Sequence, residues 1–274
     1  MVVLKSIDVL SAAKMAALIG VIVGLVIGVL AFIFAGSLAA LFGATGLQIA
    51  GGGALLIVIV PLILLIAGFV LVGIETWLYN VIARRVGGIK LDLKKGQLKS
   101  VDLMSAGKIA AVAGAIIGAI AGIVVTIGGL IAGSPTAALV GIVGIFGFAI
   151  LFAIISFIST VIDAFLYNCV ASWIGGFVLN FKGKELKNVK AVQFAKVDGI
   201  LAAIGGLIAG IFAALGALAP MHYVAMRFGH VLGVFAIVVF PILYGVVGFI
   251  ATLIEAFLYN WLATKIGGVK LTLV

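Results

Sequence analysis

The chain has 274 residues, 66% of them hydrophobic and 9% charged, with a formal net charge of +9 and a mean hydropathy of +1.49. Soluble domains carry roughly 45–50% apolar and about 25% charged residues, so this composition excludes an ordinary soluble fold and points to a chain dissolved in lipid. The single cysteine, Cys169, excludes an intrachain disulfide and, without His or Cys at metal spacing, reads as a packing residue.

In chain order, Val2–Ile7 reads as a strand, and the first apolar stretch covers Met15–Ala35. The segment Lys5–Lys14 between them recurs as Lys99–Lys108. A segment repeated inside the chain is expected to belong to the mature protein rather than to a cleaved signal. An apolar outer loop is expected over Gly36–Gly53, dipping back into the membrane or meeting a partner. Further spans follow at Ala54–Ile74, Ile109–Gly129, Leu139–Ile162, Gly199–Leu218 and Val231–Ile254; each is long enough for a bilayer core, which takes ~20 apolar residues. Pro61 and Pro241 fall in second helices and are expected to kink them, without a counterpart in the middle unit. The last outer loop holds His222, His230, Met221 and Met226. Their spacing fits no metal motif, and an ordinary loop is expected.

One motif is written three times: Glu75-Thr-Trp-Leu-Tyr-Asn80, Asp163-Ala-Phe-Leu-Tyr-Asn168 and Glu255-Ala-Phe-Leu-Tyr-Asn260, each followed by a Gly pair, Gly87-Gly88, Gly175-Gly176 and Gly267-Gly268. Self-similarity at a near-constant period means one structural unit used repeatedly. We delimit the units at 1–95, 96–183 and 184–274, each reading strand, helix, helix, strand. The Gly pair is expected to end the second helix. Beyond it, Ile89, Leu91 and Leu93 alternate with Lys90, Asp92 and Lys94, a half-buried strand pattern; Phe177, Leu179, Phe181 and Val269, Leu271, Leu273 repeat it. After turns at Lys94–Gly96 and Lys182–Lys184, Leu98–Val101 and Leu186–Val189 read as second strands. The terminal strands Val2–Ile7 and Val269–Val274 are expected to pair and close a ring.

Two helices per unit return the chain to one side of the membrane. All 17 Lys and Arg residues except Arg227 lie at the termini and junctions, so that side is expected to be cytoplasmic, with both termini there. The fold expected is therefore an all-α integral membrane protein of the cell membrane: six transmembrane helices in three tandem hairpins about a pseudo-threefold axis, with a small cytoplasmic β cap. The positive charge then serves topology and attraction to anionic inner-leaflet lipid; no basic helix or RNA motif accompanies it, so no nucleic-acid partner is expected.

The first helices carry small residues at every fourth position: Gly20, Gly24, Gly28; Gly114, Gly118, Gly122; Ala202, Gly206, Gly210. Such ribbons permit close helix packing, either around the pseudo-threefold axis or against the second helix of the same unit; a Gly-lined pore is a third reading. The motif acids Glu75, Asp163 and Glu255 lie deeper than the junctions, Glu75 about 13 Å along the helix from Arg84. Ionisable groups at such depth need partners, and Lys14, Lys108 and Lys196, aligned at the starts of the first helices, are the natural counter-ions. Two readings stand: Lys–carboxylate links pinning each hairpin, or three carboxylates forming an ion or proton site. Asp198 in the third unit is expected to compete for Lys196. Tyr79, Tyr167 and Tyr259 share the carboxylate face and suit the membrane interface; Asn80, Asn168 and Asn260 are expected to hydrogen-bond a strand or a neighbouring helix.

The aromatic-Tyr-Asn run, the Gly pair and the alternating strand resemble an uncharacterised actinobacterial-type family of small two-span transmembrane proteins, a domain of unknown function. Its Asp, Ser, Lys pattern before the first helix is matched by Asp8, Ser11, Lys14 and Asp102, Ser105, Lys108, whereas the third unit has Lys190 and Gln193 before Lys196. The resemblance implies three fused copies and brings no activity with it. No nucleotide loop, HExxH, nucleophile elbow or cofactor fingerprint occurs, so no enzyme and no cofactor are expected. The leading expectation is a structural or interaction protein, a scaffold or accessory subunit with a membrane-protein partner or as a homo-oligomer. The alternative is a small-ion channel or transporter using the repeated carboxylates.

Overall fold

The computed structural model describes residues 1–41, 46–217 and 229–274, and the side chains of all of these except 35–41, 46–53, 216–217 and 229–232. The elements are β1 (Val2–Ile7), α1 (Val9–Leu41), α2 (Gly46–Val86), β2 (Ile89–Lys94), β3 (Gln97–Val101), α3 (Leu103–Ile131), α4 (Pro135–Ile174), β4 (Leu179–Lys182), β5 (Glu185–Val189), α5 (Ala191–Ala217), α6 (Gly229–Ile266) and β6 (Leu271–Leu273). All six helices are long and apolar enough to cross a membrane. The second helices contain 41, 40 and 38 residues, so each is about 60 Å long, twice the ~30 Å hydrocarbon thickness. They run past the apolar stretches, through the Tyr-Asn motif, up to the Gly pair. The outer loop expected over Gly36–Gly53 is helical on both sides, to Leu41 and from Gly46. Met221, His222, Met226 and Arg227 lie outside the described residues, as does the side chain of His230.

Within each pair of consecutive helices, packing is backbone against backbone. A Cβ added at Gly20 would lie 2.6 Å from the Leu64 carbonyl oxygen, at Gly24 2.6 Å from Pro61 Cα and at Gly28 2.6 Å from the Leu56 carbonyl oxygen. In the second pair, Gly114 and Gly118 meet the Phe152 and Phe148 carbonyls and Gly122 meets Ile145; in the third, Gly206 and Gly210 meet the Phe240 and Ala236 carbonyls. The ribbons therefore face the second helix of their own unit. They line neither an axis nor a pore. Pro61 and Pro241 sit in equivalent places, each against a ribbon glycine, and Ala149 takes that place against Gly118.

Among the described residues, the buried clusters between pairs lie at the ends near the strands. Ile82 and Ala83 of α2 pack on Ile109 of α3, Val170 and Ala171 of α4 on Val197 of α5, and Leu262 and Ala263 of α6 on Met15 of α1. Farther out the apolar side chains are exposed: the buried share of each span's apolar window ranges from 6% in α2 and α6 to 28% in α5. Lipid rather than protein is the solvent for those faces.

The strands form a four-stranded antiparallel sheet, β3-β2-β1-β6, and a β4-β5 hairpin. Isolated bridges Gln97↔Val178 and Glu185↔Lys270 join the two at both edges, with Leu98 N–H donating to the Phe177 carbonyl (2.8 Å) and Leu186 N–H to the Val269 carbonyl (2.9 Å). Pairing thus runs round from β6 through β1 to β5 and back to β6, so that among the described residues each strand has a neighbour on both sides, which guards against pairing with another chain. β4 and β6 begin two residues later than their alternation suggests; Phe177 and Val269 give their N–H groups to tyrosine hydroxyls and accept at their carbonyls from Leu98 and Leu186.

Candidate functional site: the tyrosine–asparagine clamps and their flanking charges

Each second helix delivers a Tyr and an Asn to the strand that opens its own unit. Asn80 Oδ1 accepts the Ile7 N–H (2.9 Å) and its Nδ2 donates to the Ile7 carbonyl (2.7 Å). Asn168 makes the same pair with Val101 (2.8 and 2.9 Å), and Asn260 with Val189 (2.8 Å for both). The carboxamide, with an acceptor and a donor side by side, satisfies both backbone groups where the chain leaves the strand for the helix. Of the two partners open to the asparagines, the strand is the one used.

The tyrosines bridge two strands. Tyr79 O–H donates to the Leu4 carbonyl (2.5 Å) and accepts from Ile89 N–H (3.4 Å). Tyr167 joins the Leu98 carbonyl (2.7 Å) to Phe177 N–H (3.1 Å), and Tyr259 joins the Leu186 carbonyl (2.6 Å) to Val269 N–H (3.1 Å). The Gly pair makes this possible. Gly87, Gly175 and Gly267 have φ of +91°, +83° and +83°, a region costly for other residues. A Cβ on Gly88, Gly176 or Gly268 would overlap the carbonyl oxygen of Leu4, Leu98 or Leu186, the oxygen the tyrosine binds.

The helix starts differ. Asp8 Oδ1 accepts Ser11 N–H (2.8 Å), and Ser11 Oγ accepts Lys270 N–H (3.1 Å). Asp102 caps α3 in the same way, accepting Ser105 N–H (2.8 Å), while Ser105 Oγ accepts Lys90 N–H (3.0 Å). The Ser105 backbone N–H, followed by its side chain, holds the Asp102 carboxyl below the usual carboxylate range, with Lys90 and Lys108 adding smaller effects. In the third unit Gln193 instead donates to the Ile174 and Gly175 carbonyls (2.9 and 2.8 Å), the open end of α4. Phe194 stacks on Phe177 with ring centroids 4.2 Å apart.

The expected links from Lys14, Lys108 and Lys196 to Glu75, Asp163 and Glu255 are not formed. Among the described residues the ion pairs are Lys94–Asp92 (3.7 Å) and Lys187–Glu185 (2.8 Å). Two features keep the others apart. All six side chains are exposed rather than turned into the hairpin interface. Their axial levels also differ: Gly73 lies beside Ala13 and Gly68 beside Ala16, which sets Lys14 and Glu75 about one helical turn, ~5 Å, apart. Asp198 does not compete for Lys196; it accepts the Thr252 hydroxyl across the hairpin (2.5 Å). Nor do the motif acids gather, since among the described residues no group of three His, Cys, Asp or Glu is arranged to hold a metal ion.

Sequence reasoning missed Thr252, and it missed Lys5, Lys99 and Lys187. These lysines each sit where the register of β1, β3 or β5 shifts, a bulge that re-aims a side chain. Alignment of the units on Lys14, Lys108 and Lys196 superposes them, so the signal was present in the repeat itself. No protein-family model matches this chain, and neither a curated protein nor a solved structure matches it.

Proposed function

We propose that this chain is a structural or interaction protein of the cell membrane, a scaffold or accessory subunit built from three fused two-span units about a pseudo-threefold axis. Its strand ring lies on the cytoplasmic side as a rigid basic cap, facing anionic inner-leaflet lipid, and both termini lie there. The observation that carries this reading is the use of the repeated motif: every Tyr and Asn in it ends in backbone hydrogen bonds that hold a hairpin to the ring. These residues serve construction, and the chain is read as acting without catalysis or cofactor. The motif acids mark the boundary at which the second helices leave the hydrocarbon. A channel or transporter using Glu75, Asp163 and Glu255 would need them to converge on a wet axis, and the outward, ungathered arrangement favours the scaffold.

Reconstitution into liposomes with ion-flux measurement separates the two. A scaffold gives no flux and purifies in mild detergent with a membrane-protein partner or as a homo-oligomer; flux from a clean monomer overturns the reading. The orientation is tested by thiol labelling in a Cys169→Ser background: Lys95→Cys should label only from the cytoplasm and Ser134→Cys only from outside.

A further inference from the structure

In the third unit the bulged lysine has a partner. Glu185 Oε1 accepts from Lys187 Nζ (2.8 Å) and from the Gly268 backbone N–H (2.5 Å). The carboxylate fills the corner between the opening strand and the Gly pair, 3.1 Å from where a Cβ on Gly267 would stand. These two donors also hold the Glu185 carboxyl below its ordinary range. The second unit fills its corner with an amide: Gln97 Nε2 lies 2.6 Å from the equivalent point on Gly175.

The first unit keeps the donors and lacks the plug. Lys5 stands for Lys187 and Gly88 for Gly268, but Val3 replaces Glu185. A second cation is added, because Arg84 stands where the other units have Ser172 and Thr264. The corner is an open cavity of about 530 Å³ lined by Val3, Lys5, Ser6, Arg84, Gly87 and Gly88. Among the described residues no carboxylate pairs with Lys5 or Arg84, and no acceptor meets the Gly88 N–H.

We propose that this corner of the first unit is an oxyanion site, taking a phosphate group where the third unit places its own carboxylate. The phosphate oxygens would receive the Gly88 N–H and the Lys5 ammonium, with the Arg84 guanidinium matching the additional negative charge that distinguishes a phosphate monoester from a carboxylate. The inference rests on the comparison of equivalent corners and goes beyond the scaffold reading.

The test uses the full chain in zwitterionic nanodiscs, with thermal unfolding followed by labelling of Cys169. Two probes separate the sources of phosphate: inorganic phosphate in solution, and phosphatidic acid in the bilayer. At least one should raise the midpoint of the wild type. Lys5→Ala and Arg84→Gln should each weaken the response by about tenfold in apparent Kd, the loss of one charge-assisted hydrogen bond, while Lys99→Ala leaves it unchanged. Val3→Glu, which restores the plug of the third unit, should raise the midpoint without ligand and abolish the response. A response to inorganic phosphate identifies a soluble ligand, and one to phosphatidic acid alone identifies a lipid headgroup. The proposal is overturned if neither probe shifts the wild type, or if Lys5→Ala and Arg84→Gln respond as the wild type does. The latter pair decides the matter even if Val3→Glu fails to fold.

Discussion

Within a hairpin the two helices meet through backbone atoms, with almost no polar bonds between their side chains; at the ring the same helices are tied down by side-chain amides and hydroxyls. In the hairpin, lipid tails are as apolar as the side chains, so close approach at Gly20, Gly118 or Gly206 supplies the attraction. At the ring, strand carbonyls and N–H groups must be satisfied where the ladder stops, and each Tyr-Asn pair satisfies four of them. The difference teaches where rigidity lies. The ring is directional and over-determined, whereas among the described residues the apolar parts of the hairpins away from the ring are largely exposed.

The sharpest break of this comparison is Gly176→Ala. The new Cβ would overlap the Leu98 carbonyl and crowd the Tyr167 hydroxyl, both already fixed by hydrogen bonds. We expect a loss of more than about 3 kcal/mol, seen as immediate labelling of Cys169 in mild detergent. Gly147→Ala, with nothing within 4 Å of its added Cβ, should leave labelling unchanged. Equal tolerance of both substitutions would remove the steric basis of the clamp.

Asn168→Ala comes next. It strands the Val101 N–H and carbonyl at once, a cost of about 2–4 kcal/mol for two partly buried polar groups. Asn168→Asp keeps the acceptor and loses the donor, so it should fall between Ala and wild type. Gly118→Ala in the hairpin should cost about 1–3 kcal/mol, since overlap with the Phe148 carbonyl outweighs the gain in helix propensity. Its damage should stay local: proteolysis near Ser134 should rise while Cys169, beside the ring, keeps its protection. Loss of protection at both places would mean hairpin and ring unfold as one unit.

The repeated motif, the six apolar helices and the strand alternation were legible in the sequence because each is a local pattern. The motif's wiring was not. Asn80 and Ile7 lie far apart in the chain, and the antiparallel hairpin of α1 and α2 brings them together at a level that sequence spacing does not report. The Lys–carboxylate links failed for a geometric reason: matching charges on consecutive helices pair only if level and facing, and sequence spacing does not report axial stagger. The Gly ribbons left two packing partners open, and only the close backbone approach at Leu64 and Phe148 distinguishes them. The oxyanion corner is a difference between repeats, which a search for shared residues passes over.

The helix starts give a smaller, pH-dependent contrast. Asp102 has a depressed carboxyl pKa in the folded chain, so its contribution is fully present above the unfolded value, about 3.9, and is lost as pH falls through the lower folded value. Wild type should therefore lose part of the cap's stability below about pH 4, less than the roughly 1 kcal/mol of a whole N-cap, because the protonated carboxyl still accepts through its carbonyl oxygen. Asp102→Asn should flatten that step, because an amide caps without titrating. The third unit, with Lys190 at this position, offers the control: Lys190→Ala should leave the acid profile as it was. An unchanged profile in Asp102→Asn would assign acid sensitivity to other carboxylates.

The smallest expected effect is a null, and it separates this structure from the pairing that charge alone suggests. Lys108 and Asp163 are both exposed and form no ion pair. Lys108→Ala and Asp163→Asn should then be additive, with the double variant matching the sum of the singles within about 0.3–0.5 kcal/mol. A hidden pair would behave differently. Removing one member would leave an uncompensated charge, and removing the second would recover much of the loss. Thermal midpoints of the four proteins in one detergent measure the coupling directly. Recovery in the double variant would show that Lys108 reaches across a helical turn to Asp163. The hairpins would then be pinned by charge as well as by backbone contact, and the division of labour between hairpin and ring would no longer hold.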